Sequence, residues 1–349
     1  MTFYQELQLN QTNSKTVIKN ADGMKEKMKH TAIYLFKIVL TVAFCMAFVI
    51  GYTKLFGSEN SIVGVVVLLC ILTFRFADLG IKTQDAMWVF PVIFAIFAFG
   101  PRLANSGGLG REFLVNTICI MGLMLLGCHN VVMFNHCTLL LGYLLLYGYD
   151  VTGKMYLHRL AGIGLGAVLT MIVYYRNHRK QEYKRGLKQL LDEFDFSSSR
   201  TKWQLRMTLG TSVVVLLTGA LHCPRRMWAG IAIMSVMLPF KDEIRERVKG
   251  RIPGNIIGGV VFLMIYCLLP ESLHSMIGII SGIGVGLSAT YRWQVVFNSL
   301  GAMSIAVTIL GLPEAIFFRI FNNVFGSVCG LVLDWFSGLA ERWQTVKSY

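Results

Sequence analysis

The chain has 349 residues, of which 54% are hydrophobic and 15% are charged, and its mean hydropathy is +0.57. Soluble proteins carry about 25% charged residues, so this composition excludes an ordinary water-soluble domain and predicts an integral membrane protein. The formal net charge is +14, which is typical of membrane proteins with basic cytoplasmic loops, and we predict no nucleic-acid partner.

Twelve apolar runs follow one another with short gaps, and each of them predicts a membrane helix, since a span needs roughly 20 residues. The second, fifth and eighth runs are short for a span. The predicted fold is an all-α polytopic membrane protein with about 12 transmembrane helices. The runs cover residues 31–52, 60–75, 85–100, 113–128, 136–149, 156–175, 203–221, 227–240, 250–269, 273–291, 293–311 and 315–338.

The polar segments between these runs predict the orientation. Lys and Arg cluster in the N-terminal segment, in the charged, amphipathic segment after the sixth run and in the loop after the eighth run. Because basic clusters lie on the cytoplasmic side, we expect both termini to be cytoplasmic in the cell membrane. We also expect the segment after the sixth run to extend the sixth helix into the cytoplasm. The predicted domains are an N-terminal segment 1–30, a six-helix repeat 31–175, a cytoplasmic linker 176–202, a second six-helix repeat 203–338 and a cytoplasmic tail 339–349.

Charged residues near the predicted membrane ends fit this scheme less simply. Four arginines fall on the outer side, where few basic residues are expected: Arg102, Arg111, Arg225 and Arg226. Proton coupling needs a titratable group within the bilayer, and four carboxylates are near it: Glu314, Asp334, Asp78 and Asp85. Solvated positions at the interface account for all four carboxylates, so the sequence assigns no coupling ion.

The two halves of the chain resemble each other. Lys37 lies early in the first predicted helix, as Arg206 does in the seventh. The sixth helix opens with Arg159-x-x-Gly162-x-x-x-Gly166 and the twelfth with Arg319-x-x-Asn322-x-x-x-Gly326, so that 160 residues separate both the arginines and the final glycines. A parallel duplication predicts a transporter with its substrate site between the repeats. Chance similarity between two apolar helices is the alternative.

The most prominent local motif is Arg-x-x-Gly-x-x-x-Gly. It occurs as Arg159–Gly162–Gly166, as Arg247–Gly250–Gly254 and as Arg251–Gly254–Gly258. Glycines four residues apart share a helix face and let another backbone approach closely. An arginine in a membrane segment is costly and tends to face a cavity or a partner. Packing glycines with an arginine that reaches the interface are the alternative interpretation.

The stretch Arg251-Ile-Pro-Gly254-Asn255-Ile-Ile-Gly258, preceded by Trp228-Ala and a proline at residue 239, resembles the fusaric acid resistance (FUSC) family, which is grouped with the aromatic acid exporters. Asn255 stands where the family usually has Thr, and Asn322 stands where Asp is common. The first half departs from the pattern, because Ser61-Ile-Val-Gly64 replaces the Trp-Ala opening. Larger relatives have a cytoplasmic domain where this chain has only the linker.

The resemblance implies export of organic anions, often aromatic carboxylates, across the cytoplasmic membrane. The plant aluminium-activated malate transporters are similar in the membrane part and act as anion channels, so a passive channel is one alternative and a non-transporting scaffold is another. Both transport functions need fixed positive charge along the path, because a desolvated carboxylate needs a paired cation. The candidate substrate-binding residues are Arg159, Arg251, Arg319, Lys37 and Arg206, and the candidate helix-packing residues are Gly162, Gly166, Gly250, Gly254, Gly258 and Gly326.

The sequence predicts no enzyme, because it contains no clustered carboxylates, nucleophile elbow or run of metal ligands at a membrane face. The eight cysteines form no CxxC pair, and we predict neither a metal site nor a cofactor. The expected partners are the lipid bilayer and an organic anion, and a homo-oligomer stays open.

Overall fold

The described part of the chain is mostly helical. The computed structural model describes residues 2–9, 11–239 and 243–347, and within these ranges the chain forms fifteen α-helices and no β-strand. This confirms the all-α prediction. The helices are α1 (Phe3–Leu7), α2 (Gln11–Lys19), α3 (Met24–Phe56), α4 (Ser61–Phe74), α5 (Thr83–Asn105), α6 (Leu109–Gly127), α7 (Asn135–Gly148), α8 (Gly153–His178), α9 (Leu187–Asp192), α10 (Ser199–Ala220), α11 (Met227–Val236), α12 (Glu243–Leu268), α13 (Ile277–Leu287), α14 (Tyr291–Leu310) and α15 (Leu312–Lys347).

Seven helices of the described part are long and apolar enough to cross a membrane: α3, α5, α6, α8, α12, α14 and α15. Shorter apolar helical segments cover Ser58–Phe74, Met227–Val236 and Glu271–Leu287. Each of the twelve predicted runs contains a helix, although twelve crossings and the two-repeat layout stay predictions.

Helix α3 has a largely exposed apolar surface, as expected for a helix in contact with lipid. Only 11% of its most apolar stretch is buried. Contiguous apolar surface of this extent is rare on soluble monomers. It therefore indicates contact with the bilayer. The exposed side chains of α3 include Leu35, Phe36, Val39, Leu40 and Phe44.

The linker 176–202 does not extend the sixth helix, so that prediction is wrong. Helix α8 ends at His178, and a short separate helix, α9, precedes α10. The Asp85 carboxylate accepts the backbone N–H of Leu187 at 2.9 Å and so satisfies a free donor at the start of α9. Asp195 accepts the backbone N–H of Ser197 at 2.9 Å, and such local side-chain bonds compete with helix formation.

Three predicted boundaries in the second half also move. Helix α12 begins at Glu243 rather than at residue 250, so the Arg-x-x-Gly motifs lie wholly inside it. A 3₁₀ turn covers Glu271–Met276, which leaves α13 shorter than the predicted tenth helix. Helix α15 begins at Leu312 and continues through most of the predicted tail; residues 348–349 lie outside the described residues.

The chain divides into two compact units. The first unit comprises Met1–Ala47 and Lys249–Phe321, and the second comprises Phe48–Val248 and Asn322–Tyr349. In the first unit α13 packs on α14, and the buried core is formed by Phe262, Ile277, Leu300 and Met303.

The turn from α14 to α15 in the first unit is fixed by its sequence. Gly311 follows the last residue of α14 with a φ of 83°. A left-handed residue after a helix is usually glycine, because a Cβ is disfavoured there. Pro313 then occupies the first turn of α15, where a missing N–H costs nothing. Gly311 and Pro313 therefore end α14 and begin α15 without an intervening loop.

The second unit has an aromatic core. Helix α5 packs on α6, α7 and α8, and α10 packs on α6 and α11. Phe74, Phe90 and Tyr174 meet edge to face, with the Phe90 ring centroid 5.0 Å from both of the others. Edge-to-face aromatic pairs are favourable beyond their buried area, and this cluster joins α4, α5 and α8.

Candidate functional site

Two of the candidate arginines lie in one polar cluster of the first unit. Arg251 and Arg319 are 6% and 5% exposed. Arg251 donates to the Tyr291 hydroxyl at 3.0 Å, and Arg319 Nε donates to Ser299 Oγ at 3.4 Å. Ser299 in turn donates to Asn255 Oδ1 at 2.7 Å, and Asn255 Nδ2 donates to the carbonyl of Arg251 at 2.8 Å. Helices α12, α14 and α15 thus contribute to one hydrogen-bonded cluster.

The glycines of α12 bring these helices together. A Cβ on Gly254 would lie 3.0 Å from the Arg292 carbonyl oxygen, and one on Gly258 would lie 3.0 Å from the Val296 carbonyl oxygen. Both contacts are with α14, whose backbone needs this space. A Cβ on Gly250 would lie 3.1 Å from the ring of Tyr291, which is also on α14. The glycine face of α12 therefore sets the distance at which Ser299 can reach Asn255.

Arg159 forms a different cluster, in the second unit. It is 2% exposed. Its Nε donates to Asn60 Oδ1 at 3.0 Å, and its Nη groups donate to the carbonyls of Leu146 and Glu59 at 3.5 and 3.4 Å. Within the described part of the chain, Arg159 forms no ion pair. A full guanidinium charge is thus held in the protein by neutral acceptors.

The glycines that follow the two repeated arginines pack in parallel ways. Gly166 of α8 lies against Val67 of α4, and Gly326 of α15 lies against the backbone of Ala229 of α11. A Cβ on Gly162 would lie 3.5 Å from the Val63 side chain of α4. In each half, a closing helix therefore lies against the helix that holds the second position of the predicted repeat.

Lys37 and Arg206 have local partners. Lys37 Nζ donates to Ser14 Oγ at 2.6 Å and to the carbonyl of Leu9 at 3.0 Å, so it fixes the N-terminal segment to α3. Arg206 donates to Ser337 Oγ at 2.8 Å and lies 3.9 Å from Asp334 Oδ1. Among the five candidates, the structure joins Arg251 with Arg319, while the other three are in separate contacts.

Residues 211–333 match the model of the fusaric acid resistance protein-like family. This region contains both motifs of α12 and the opening of α15, and the match supports the fusaric acid resistance resemblance. Together with the seven apolar helices, it indicates a multi-pass membrane protein of the transporter class. No curated protein and no solved structure matches the chain.

The fusaric acid resistance-like region also supplies a contact that the sequence analysis did not predict. Arg226, just before α11, donates through Nη1 to both carboxylate oxygens of Glu112 at 2.8 and 2.7 Å. Tyr147 of α7 donates to Oε1 of the same carboxylate. Glu112, which directly precedes the fourth apolar run, is only 4% exposed. The sequence feature that could have indicated this contact is Arg226 itself, a basic residue on the side predicted to be external.

A cavity of about 410 Å³ borders this ion pair. Its described lining includes Glu112, Arg226, His222 and Cys223, together with glycines of the α5–α6 turn and of α10. A second cavity of about 450 Å³ shares Cys223 and Arg226 with the first. Both members of the ion pair therefore border space that a small solute can enter.

Two more of the arginines predicted to be external, Arg102 and Arg225, also have partners. Arg102 pairs with Asp150 at 3.0 Å. Arg225 stacks over the Tyr149 ring at 4.6 Å and donates to the carbonyl of Gly148 at 3.4 Å.

The described residues contain no group of three or more His, Cys, Asp or Glu side chains that could hold a metal ion.

Proposed function

We propose that the chain exports organic acid anions, including aromatic carboxylates, across the cytoplasmic membrane. The observation that supports this most directly is that each of three glycine-containing membrane helices has a buried arginine. These are Arg159 on α8, Arg251 on α12 and Arg319 on α15. The family match over residues 211–333 adds independent support for transport.

The electrostatic argument starts from the cost of burial. A guanidinium away from water is costly unless it is paired and hydrogen-bonded. Asn60 and two backbone carbonyls satisfy hydrogen bonds of Arg159 but leave its charge in place. A carboxylate on its way through the membrane gains a charge-assisted hydrogen bond at such a position. The proposal therefore assigns Arg159 to anion binding. It assigns the same role to Arg251 and Arg319 because they too are buried arginines of glycine-containing membrane helices, and it assigns Lys37 and Arg206 to structural contacts.

Flux of a labelled aromatic acid in proteoliposomes tests the proposal. The purified full chain is reconstituted, and uptake of labelled benzoate is compared with that of empty vesicles. Arg159→Gln and Arg251→Gln are expected to lower the initial rate about tenfold or more, since a charged hydrogen bond contributes about 1.5–3 kcal/mol. Exposed arginines on the same helices give matched controls: Arg176→Gln on α8 and Arg245→Gln on α12 keep the wild-type rate.

The same vesicles separate the alternatives. A saturable flux that accumulates benzoate against its gradient when a proton or counter-anion gradient is imposed supports an exporter. A benzoate flux that stops at electrochemical equilibrium identifies a passive channel instead. Absence of any flux from folded, monodisperse protein contradicts both and leaves a scaffold.

We further propose that both termini are cytoplasmic. Two of the arginines on the side that would then be external are in ion pairs, Arg102 with Asp150 and Arg226 with Glu112, so they add little net charge there. Ser106, exposed between α5 and α6, reports the orientation. Ser106→Cys in a background without the native cysteines should react with an impermeant maleimide in intact cells. Lys180→Cys, exposed in the linker, should react only after the cells are opened.

A further inference from the structure

The two side chains of the ion pair between Glu112 and Arg226 differ in solvent exposure. The Glu112 side chain is 6% exposed and the Arg226 side chain is 30% exposed. Both side chains border the cavity of about 410 Å³, and Arg226 is the more exposed of the two. Arg226 is therefore the more accessible partner for a solute in that cavity.

We propose that Arg226 is an anion-binding residue, that Glu112 occupies it in the empty protein, and that a solute carboxylate replaces Glu112 when Glu112 accepts a proton. The exchange is balanced: one proton and one anion enter, Glu112 becomes a neutral carboxylic acid, and Arg226 keeps its positive charge throughout. This inference rests on the proposed function for the chemical class of the anion, a small carboxylate.

Electrostatics explains why the exchange needs a proton. If an anion joined Arg226 while Glu112 stayed ionised, two carboxylates would share one guanidinium in a partly desolvated site, where like charges repel strongly. Protonation removes one of them. The neutral acid still accepts the hydrogen bond from Tyr147, and its new O–H can donate to the incoming carboxylate.

The surroundings of Glu112 have few other charges. Tyr147 and Tyr143 face it from α7, and Arg111 precedes it on α6. His222 and Cys223 line the cavity from the α10–α11 loop, where Arg225 also lies. Helix α5 contributes Arg102 on this side, already paired with Asp150, and α10 contributes Gly219.

The loop that carries Arg226 is held in an unusual conformation. His222 and Arg225 have φ values of 52° and 55°. Left-handed backbone is costly for residues other than glycine and persists only where the surroundings enforce it. Asn322 of α15 supplies part of that restraint, because its Nδ2 donates to the carbonyl of Pro224 at 3.1 Å. Gly219 also leaves room for Arg226, since a Cβ there would lie 2.7 Å from Arg226 Nη1.

Calorimetry with benzoate as the probe tests the inference without transport. The full chain, in nanodiscs of phosphatidylcholine that present no anionic headgroup, is titrated near pH 7 in two buffers of different ionisation enthalpy. The wild type is expected to take up about one proton for each benzoate bound. Glu112→Gln removes the competing charge, so it should bind benzoate about tenfold more tightly or better and take up no proton. Glu26→Gln, exposed at the start of α3, should behave as the wild type.

The role of Arg226 needs a variant that folds. Arg226→Gln alone leaves Glu112 buried with an uncompensated charge, whereas Glu112→Gln combined with Arg226→Gln leaves two neutral amides. The double variant should keep the wild-type melting profile and lose benzoate binding, and Arg226→Lys should retain binding. Benzoate binding by the double variant, or equal proton uptake by the wild type and Glu112→Gln, would overturn the inference. Absence of flux with this linkage intact would contradict the proposed function alone.

Discussion

Gly326 of α15 lies so close to the carbonyl oxygen of Ala229 on α11 that any side chain at position 326 would overlap that oxygen. Gly166 of α8 has the same relationship with the Val67 side chain of α4. These two close approaches occupy corresponding positions of the predicted repeats. Each glycine lies four residues after the preceding motif position, Gly162 in α8 and Asn322 in α15. The close approaches explain why a glycine stands there.

Alanine at either close-packed glycine should destabilise the protein. We expect Gly166→Ala and Gly326→Ala each to cost about 1–3 kcal/mol, because a buried backbone or a stiff Val has to move. The effect is read from the melting temperature in detergent by intrinsic fluorescence. Gly164→Ala is the matched control, since a Cβ there meets nothing within 4 Å. A melting temperature that falls equally for the control would argue against specific packing.

Removal of the Ser299 hydroxyl should weaken the cluster of the first unit. Ser299→Ala takes away the donor to Asn255 Oδ1, a fully buried amide, so we expect a loss of about 1–3 kcal/mol. Ser304, on the same helix, donates only to a carbonyl one turn earlier. Ser304→Ala should therefore leave thermal stability within about 0.5 kcal/mol of wild type. Equal stabilities for the two variants would contradict a structural role for Ser299.

The ion pair between Glu112 and Arg226 should show strong energetic coupling. Because Glu112 is buried, Arg226→Gln alone should cost about 2–4 kcal/mol, whereas adding Glu112→Gln should restore most of that loss. A double-mutant cycle on melting temperature measures the coupling. The pair of Arg102 with Asp150, whose arginine is more exposed, serves as a control and should couple by less than about 1 kcal/mol.

Acidification should loosen the linker where His129, between α6 and α7, contacts Glu193 and Arg200 of the linker. Burial, with the nearby Arg200 charge, holds the pKa of His129 below its usual value of 6.5. The unfolded chain therefore binds a proton that the folded chain does not, and stability falls as the pH drops below about 6.5. A hydrogen bond from Arg185 holds the pKa of Glu193 below its usual 4.5, so that contribution is lost at still lower pH.

Hydrogen exchange of the linker at pH 7.5 and 5.5 checks this prediction. The wild type should exchange faster at pH 5.5 once intrinsic rates are corrected, and His129→Gln should show a smaller difference between the two pH values. His158→Gln, exposed on α8, is the matched control and should keep the wild-type difference. A wild-type linker with equal protection at both pH values would contradict the sign.

Much of the helix layout was predictable from the sequence. In a bilayer each helix satisfies its own backbone hydrogen bonds, so an apolar run specifies a helix almost without its neighbours. The break between α8 and α9 was not predictable in this way. It depends on Asp85, which reaches the backbone of Leu187 from a position 102 residues earlier.

For the candidate site, too, local features were predictable from the sequence and contacts between helices were not. The sequence by itself determined the membrane class, the helices, the Arg-x-x-Gly motifs and the family resemblance, because composition and spacing along one helix are local properties. Only the tertiary structure decided that Arg319 contacts Ser299, which is connected to Arg251 through Asn255, that Arg206 lies near Asp334, and that Glu112 pairs with Arg226. The partner of a buried charge is chosen by which helices pack together, and residues 114 positions apart, as in the last pair, leave no local pattern.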